Sequence, residues 1–174
     1  MADQPWKSEP PYKKPDESFT KTLQGSCHCG RVKYWLSKDE PLASKYCHCD
    51  GCKVLHVLHQ MQGAPFQWAA IFKKQDMAFE SGAENLRFYN SGSQSREREL
   101  PCKVSCSYCG SLILDEGRNM VLLFPTLLSF RDEAQRKNFD VQCHLFYPQR
   151  VVDLPDGKPK WSGLDDKSEL LDEP

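Results

Sequence analysis

No stretch of this sequence approaches the roughly 20 consecutive apolar residues that a membrane-spanning helix needs, so a membrane partner is not expected. Neither sign of charge dominates: 23 Lys and Arg stand against 24 Asp and Glu, a net charge of −1. A chain that lives on nucleic acid or an anionic surface normally carries a basic face or tail. The nearest candidates, Lys13-Lys14 and Lys73-Lys74, are short and sit beside acids, so no nucleic-acid partner is expected either. Helical periodicity is scarce, and hydrophobic residues make up only 39%, thin for a soluble domain. The N-terminus, Met1-Ala-Asp-Gln-Pro-Trp6, shows no apolar segment of a secretory signal. The expected compartment is therefore a reducing one, the cytoplasm, where disulfides are not expected.

What is there instead is cysteine. Seven of the nine fall into three clusters: Cys27-His-Cys29-Gly30, Cys47-His-Cys49-Asp-Gly-Cys52 and Cys106-Ser-Tyr-Cys109-Gly110. Seven is one more than three disulfides could use, and it is the count for one closed and one open zinc site. A structural zinc takes four ligands in a tetrahedron, whereas a catalytic zinc takes three and keeps a position for water or substrate. Cys106 and Cys109, followed by a glycine, have the spacing of a zinc knuckle, which supplies half a tetrahedron and needs a second pair. Cys27 and Cys29 are that pair, because residues i and i+2 of an extended segment face the same side and leave His28 pointing away. The middle cluster puts three thiolates, Cys47, Cys49 and Cys52, within six residues. His56 and His59 are the nearest unused metal-type ligands, and a helical reach from Cys52 to His56 could close this site. Cys143, within the apolar run 141–147, and Cys102 read as core cysteines. A redox pair at Cys106 and Cys109 lacks a surrounding βαβ pattern.

At 174 residues the chain suits a single domain, with metal crosslinks offsetting the thin core. Residues 1–19 carry four prolines and many charges and are expected to form a disordered arm. Residues 20–150 form the zinc-binding β domain. Residues 151–174, punctuated by Pro and Gly and ending acidic, are expected to wrap irregularly over it, since they keep Trp161, Leu164, Leu170 and Leu171. Within the domain Val32, Tyr34 and Leu36 alternate on one strand face. Runs 66–72, 86–89, 111–114, 120–124 and 141–147 are further short strands separated by turn residues. Only residues 52–60 and 131–139 show helical spacing. Phe66, Trp68, Phe72 and Phe124 read as core. The pattern predicts a mainly β protein of several small antiparallel sheets clamped by metal.

These residues resemble a known family. Gly25-Ser-Cys-His-Cys-Gly30, the Cys-His-Cys-Asp-Gly-Cys run at 47–52 and Cys-Ser-Tyr-Cys-Gly at 106–110 are similar to the glutathione-dependent formaldehyde-activating enzymes, a family that includes the centromere protein V type. The segments 63–72, 117–121, 123–125 and 155–161 look like its fungal branch. The resemblance implies a coiled multi-sheet fold shared with a Rab exchange-factor zinc protein (Mss-four-like). It also implies two zinc ions per chain, a structural one on Cys27, Cys29, Cys106 and Cys109 and a catalytic one on Cys47, Cys49 and Cys52. The implied activity is carbon–sulfur lyase chemistry on a glutathione adduct, with glutathione as co-substrate. The segment 53–63, with its near repeat Val54-Leu-His56 and Val57-Leu-His59, is longer than the family's usual link. A long basic N-terminal region of the centromeric type is not present in this sequence, which argues against a chromatin role.

Three thiolates leave a bound zinc near −1, a weak activator of water that suits a soft fourth ligand, a thiolate. For proton transfer the candidates are His48 and Asp50 between the ligands, His56 and His59 after them, and the turn Asp115-Glu116-Gly117-Arg118. Lys53 and Arg118 are candidate holders of glutathione carboxylates. The competing class is a non-catalytic zinc scaffold for a protein partner, which has no need of an open three-cysteine site. The pattern leaves the oligomeric state open.

Overall fold

The structure, a computed structural model, describes residues 5–54 and 63–171. It is a mainly β, single-domain architecture, as the strand pattern predicts. The strands gather into two sheets. In the smaller, β1 (Leu23–Ser26), β2 (Lys33–Leu36) and β5 (Met77–Ser81) run antiparallel in the order β1-β2-β5. The larger is built from β3 (Ala43–Cys47), β4 (Gln67–Lys73), β6 (Leu86–Tyr89), β7 (Cys102–Cys106), β8 (Leu112–Glu116), β9 (Met120–Leu123), β10 (Cys143–Leu145), β11 (Lys160–Trp161) and β12 (Leu170–Leu171). Its nine strands lie in the order β12-β11-β10-β3-β4-β9-β8-β7-β6, with β10 parallel to both β3 and β11.

Alternation decides which side chains fill the core. Val32, Tyr34 and Leu36 are all fully buried, as the period-2 reading expects. They pack with Phe72, Phe79, Val104, Ile113, Leu114, Val121, Leu123 and Phe139 in one cluster. Gly25 is a close-approach position, since a Cβ there would fall 2.2 Å from the Tyr34 ring. Among the described residues two short α-helices interrupt the strands, α1 (Asp50–Val54) and α2 (Glu133–Lys137). The second is started by Asp132, whose side chain accepts from Gln135 N at 2.8 Å as an N-cap. The helix expected at 52–60 is described only to Val54; His56 and His59 lie outside the described residues.

Two expectations about the ends need correction. The arm expected to be disordered is seated on the domain through Trp6, Pro11 and Tyr12. Tyr12 is buried and stacks on Phe79, with ring centroids 5.5 Å apart, and Trp6 meets Tyr12 edge-on at 4.8 Å. The Tyr12 hydroxyl donates at 2.6 Å to Glu116, a fully buried carboxylate that also receives Lys74 Nζ at 2.7 Å and both Arg98 Nε at 3.0 Å and Nη2 at 2.5 Å. One buried tyrosine and the half-buried Trp6 beside it outweigh a polar, proline-rich composition. The C-terminal segment, expected to wrap irregularly, supplies β11 and β12 and extends the edge of the large sheet.

Candidate metal centre

The four-cysteine cluster forms where two hairpin turns, one from each sheet, meet. Cys27 and Cys29 lie in the β1–β2 turn; Cys106 ends β7 and Cys109 lies in the β7–β8 turn. Each turn closes on a left-handed glycine, Gly30 at φ 73° and Gly110 at φ 75°, a conformation that glycine adopts without a Cβ penalty. Gly30 N donates to Cys27 O, three residues back, and Gly110 N to Cys106 O, four residues back, both at 3.0 Å, so each turn is closed by its own backbone bond. Cys27 Sγ lies 3.5 Å from Cys29 Sγ, which lies 3.9 Å from Cys106 Sγ, and all four sulfurs fall within 4.8 Å of one another. Zinc–sulfur bonds of about 2.3 Å in a tetrahedron put the sulfurs about 3.8 Å apart, so this donor set fits a metal ion. Val32 N donates to Cys27 Sγ at 3.3 Å, and the Ser111 hydroxyl sits 3.3 Å from Cys109 Sγ. Burial pushes the Cys106 thiol up to about 12, the behaviour of a sulfur packed in the core with no cation to offset its charge.

The three-cysteine cluster is local. Cys47 ends β3, Cys49 lies in the bend after it, and Cys52 lies in α1, whose first turn is closed by Cys52 N donating to Cys49 O at 3.0 Å. The Sγ atoms of Cys47 and Cys49 are 3.5 Å apart, and all three sulfurs fall within 4.8 Å of one another. This set could also hold a metal ion. Sulfurs this close cannot all ionise without a cation: hydrogen bonds from Cys47 and Cys52 hold the Cys49 thiol far below its ordinary value, while the bond to Cys49 pushes Cys47 up to about 11. A cavity of about 220 Å³ adjoins the cluster, lined by Cys49, Cys52, Tyr89, Cys102, Lys103 and Asp115 among others.

The other expected site residues are placed differently. His48 points away from the cavity into the interior, fully buried. Its Nε2 lies 3.0 Å from His144 Nδ1, and His144 Nε2 lies 3.1 Å from both Asp156 carboxylate oxygens. A carboxylate only accepts, so His144 Nε2 donates to Asp156 and His144 Nδ1 accepts from His48, which leaves His48 Nδ1 a bare acceptor without a partner among the described residues. Burial, followed by the neighbouring His144, Lys53 and Arg150, lowers His48 to about 4, so it is neutral near pH 7. Lys53 is engaged elsewhere: its Nζ donates to the Gln149 carbonyl and meets Asp50 at 3.0 Å. Arg118 is exposed in the β8–β9 turn and is not part of the cavity wall.

The structure brings two charged residues to the open cluster, Lys103, which the sequence reading missed, and Asp115, which it named only as part of the 115–118 turn. They stand directly opposite each other on β7 and β8, and Lys103 Nζ donates to Asp115 Oδ2 at 2.7 Å. Burial pulls the Lys103 pKa down, but Asp115 and the sulfurs of Cys52 and Cys49 more than offset this, and the net shift is upward. The signal was present as alternation. Within β7 Cys102, Val104 and Cys106 are buried, which turns Lys103 to the other face.

Comparison with known proteins follows from this arrangement. The model of the family described as glutathione-dependent formaldehyde-activating enzyme matches residues 22–149. No curated protein matches the chain. A crystal structure of a Rhodobacter sphaeroides protein is similar at 22% identity over 68% of this chain and 96% of its own, with a TM-score of 0.48, too weak a likeness to argue from.

Proposed function

The chain belongs to the glutathione-dependent formaldehyde-activating enzyme family, and from that premise we propose that it is a zinc-dependent carbon–sulfur lyase that makes or breaks a C–S bond in an adduct of glutathione or another thiol. In this reading Cys27, Cys29, Cys106 and Cys109 hold a structural zinc, and Cys47, Cys49 and Cys52 hold a catalytic one. The observation that supports it is the unlike setting of the two clusters: four sulfurs complete a tetrahedron at one, while three sulfurs adjoin a cavity at the other. When bound, a zinc on three thiolates supplies a fourth position that favours a thiolate over a thiol.

The chain's own residues do the rest. Tyr89, Pro101 and Cys102 form an apolar wall against which the sulfur end of a ligand can pack. Lys103 places one positive charge beside the Cys49 and Cys52 sulfurs, which favours anionic sulfur in the cavity. The cavity is smaller than the roughly 300–1,000 Å³ of a typical ligand pocket, so it suits the thiol end of a tripeptide adduct rather than the whole molecule. A non-catalytic scaffold has no use for such a cavity. Among the described residues no helix is long and apolar enough to cross a membrane. A reducing compartment, the cytoplasm, keeps all nine cysteines free of disulfides. The affinity of segments 63–72 and 155–161 for the fungal pattern supports placing the chain in that branch.

The test is the decay and formation of the glutathione–formaldehyde adduct, followed with and without the zinc-loaded protein. Acceleration by the wild type, abolished in Cys49→Ser, is expected. A wild type that leaves the rate at its spontaneous value would return the chain to the scaffold class.

A further inference from the structure

A lyase needs a group that moves a proton, and His48 turns away from the cavity. Asp115 does not. It shares the wall of the cavity with Cys49 and Cys52. Two side chains from two other strands fix its carboxylate: Lys103 Nζ donates to Oδ2 at 2.7 Å, Gln67 Nε2 donates to the same oxygen at 2.7 Å, and Lys103 also donates to Gln67 Oε1 at 3.0 Å. Two donors on one oxygen set the plane of the carboxylate. The other oxygen, Oδ1, is buried and has no partner among the described residues. An ionised carboxylate oxygen only accepts, and a buried one without a donor is costly. A hydroxyl on a bound ligand is the donor that this position lacks.

We propose that Asp115 Oδ1 is the catalytic base of the reaction, with Lys103 and Gln67 as the residues that position it. The proposal rests on the lyase reading, with an adduct that carries a hydroxyl on the carbon bonded to sulfur. The hydroxyl proton passes to Asp115 Oδ1. The O–H electron pair becomes the second bond of a carbonyl, the C–S bond breaks, and its pair leaves with the sulfur as a thiolate. The proton then returns from Asp115 to the sulfur as the thiol departs, so the adduct is divided into aldehyde and thiol with nothing gained or lost. The reverse sequence joins them. A thioether without that hydroxyl offers Asp115 no proton and is not a substrate.

The test uses Asp115→Ala and the double variant Asp115→Ala/Lys103→Met. The double variant removes the cation that the first leaves without its partner, so a folding defect in the single variant does not decide the matter. Binding of 2-mercaptoethanol and of ethanethiol is measured on the full chain loaded with cobalt(II), by visible absorption. One hydrogen bond to a charged acceptor gives the wild type about a tenfold preference for the hydroxyl-bearing thiol. That preference is expected to vanish in both variants, while ethanethiol affinity is unchanged in the single one. Decay of the glutathione–formaldehyde adduct should slow by about 10²-fold or more. Equal wild-type affinity for the two thiols, or variants that keep the preference or the rate, overturn the assignment to Asp115 and leave an accelerating wild type as a lyase. A wild type that both binds the two thiols equally and accelerates nothing overturns the lyase reading, and this assignment with it.

Discussion

The two cysteine clusters use one donor atom on opposite terms. The four-cysteine cluster joins segments 77 residues apart at the Cys29–Cys106 contact and ties a turn of the small sheet to a turn of the large one. The three-cysteine cluster is drawn from six consecutive residues at the end of β3 and closes almost no loop. A metal that crosslinks distant segments contributes its binding energy to folding, because the site does not exist in the unfolded chain. A metal held by a local hook orders little chain and is free to keep a coordination position for chemistry. Distance along the sequence therefore separates the two roles better than ligand type does.

The sharpest way to break this comparison is to remove one sulfur from each cluster. Cys109→Ser is expected to abolish the cooperative melt or to lower Tm by about 10 °C or more, whereas Cys49→Ser should stay within about 4 °C of wild type and lose activity. Thermal melts in which both variants are equally destabilised would erase the distinction.

A second prediction concerns the strand that serves both regions. On β8, Asp115 faces the cavity while its neighbour Glu116 is fully buried and gathers Tyr12, Lys74 and Arg98. Glu116→Ala leaves two cations without their acceptor and should cost about 3–5 kcal/mol, measured by denaturant unfolding. A cost near zero would show that this network does not anchor the N-terminal segment.

Metal removal gives the next contrast. A mild chelator should strip one zinc per chain quickly with little change in the melt and the second slowly, together with the fold. Release of both in one phase would contradict unequal sites.

The smallest effect is acid sensitivity. Burial raises the Glu116 pKa, but its bonds to Arg98, Lys74 and Tyr12 more than offset this, so its folded value lies below the ordinary 4.5. A depressed carboxylate contributes stability that is fully present above 4.5 and is lost as pH falls through the folded value. Stability measured across that window should fall with acid in the wild type and fall less steeply in Glu116→Gln. Parallel curves would remove Glu116 from the account.

Much of this was legible in the residues because the informative signals are local. Ligand spacing at 27–29, 47–52 and 106–109 needs no knowledge of the fold, and neither does the alternation of Val32, Tyr34 and Leu36. What escaped depended on register. Lys103 and Asp115 are 12 residues apart and meet only because β7 and β8 pair with those two positions opposite each other. Strand β7 itself was hidden, since Cys106 was read as a sulfur donor rather than as an inward position of an alternating strand. Tyr12 was masked by the prolines and charges around it, although one buried aromatic and its hydroxyl suffice to seat the segment. His48 was misplaced for a related reason. The i, i+2 rule that turns Cys47 and Cys49 to one face sends the residue between them to the other.

The central claim is that the three-cysteine cluster holds a metal with a position open to thiolate sulfur. A crystal structure of the zinc-loaded protein with glutathione tests it most directly. The account predicts the glutathione sulfur as fourth ligand at about 2.3 Å, with S-methylglutathione, which cannot form a thiolate, failing to occupy the same position. A fourth position filled by His56 or His59, with glutathione bound elsewhere or not at all, would contradict it.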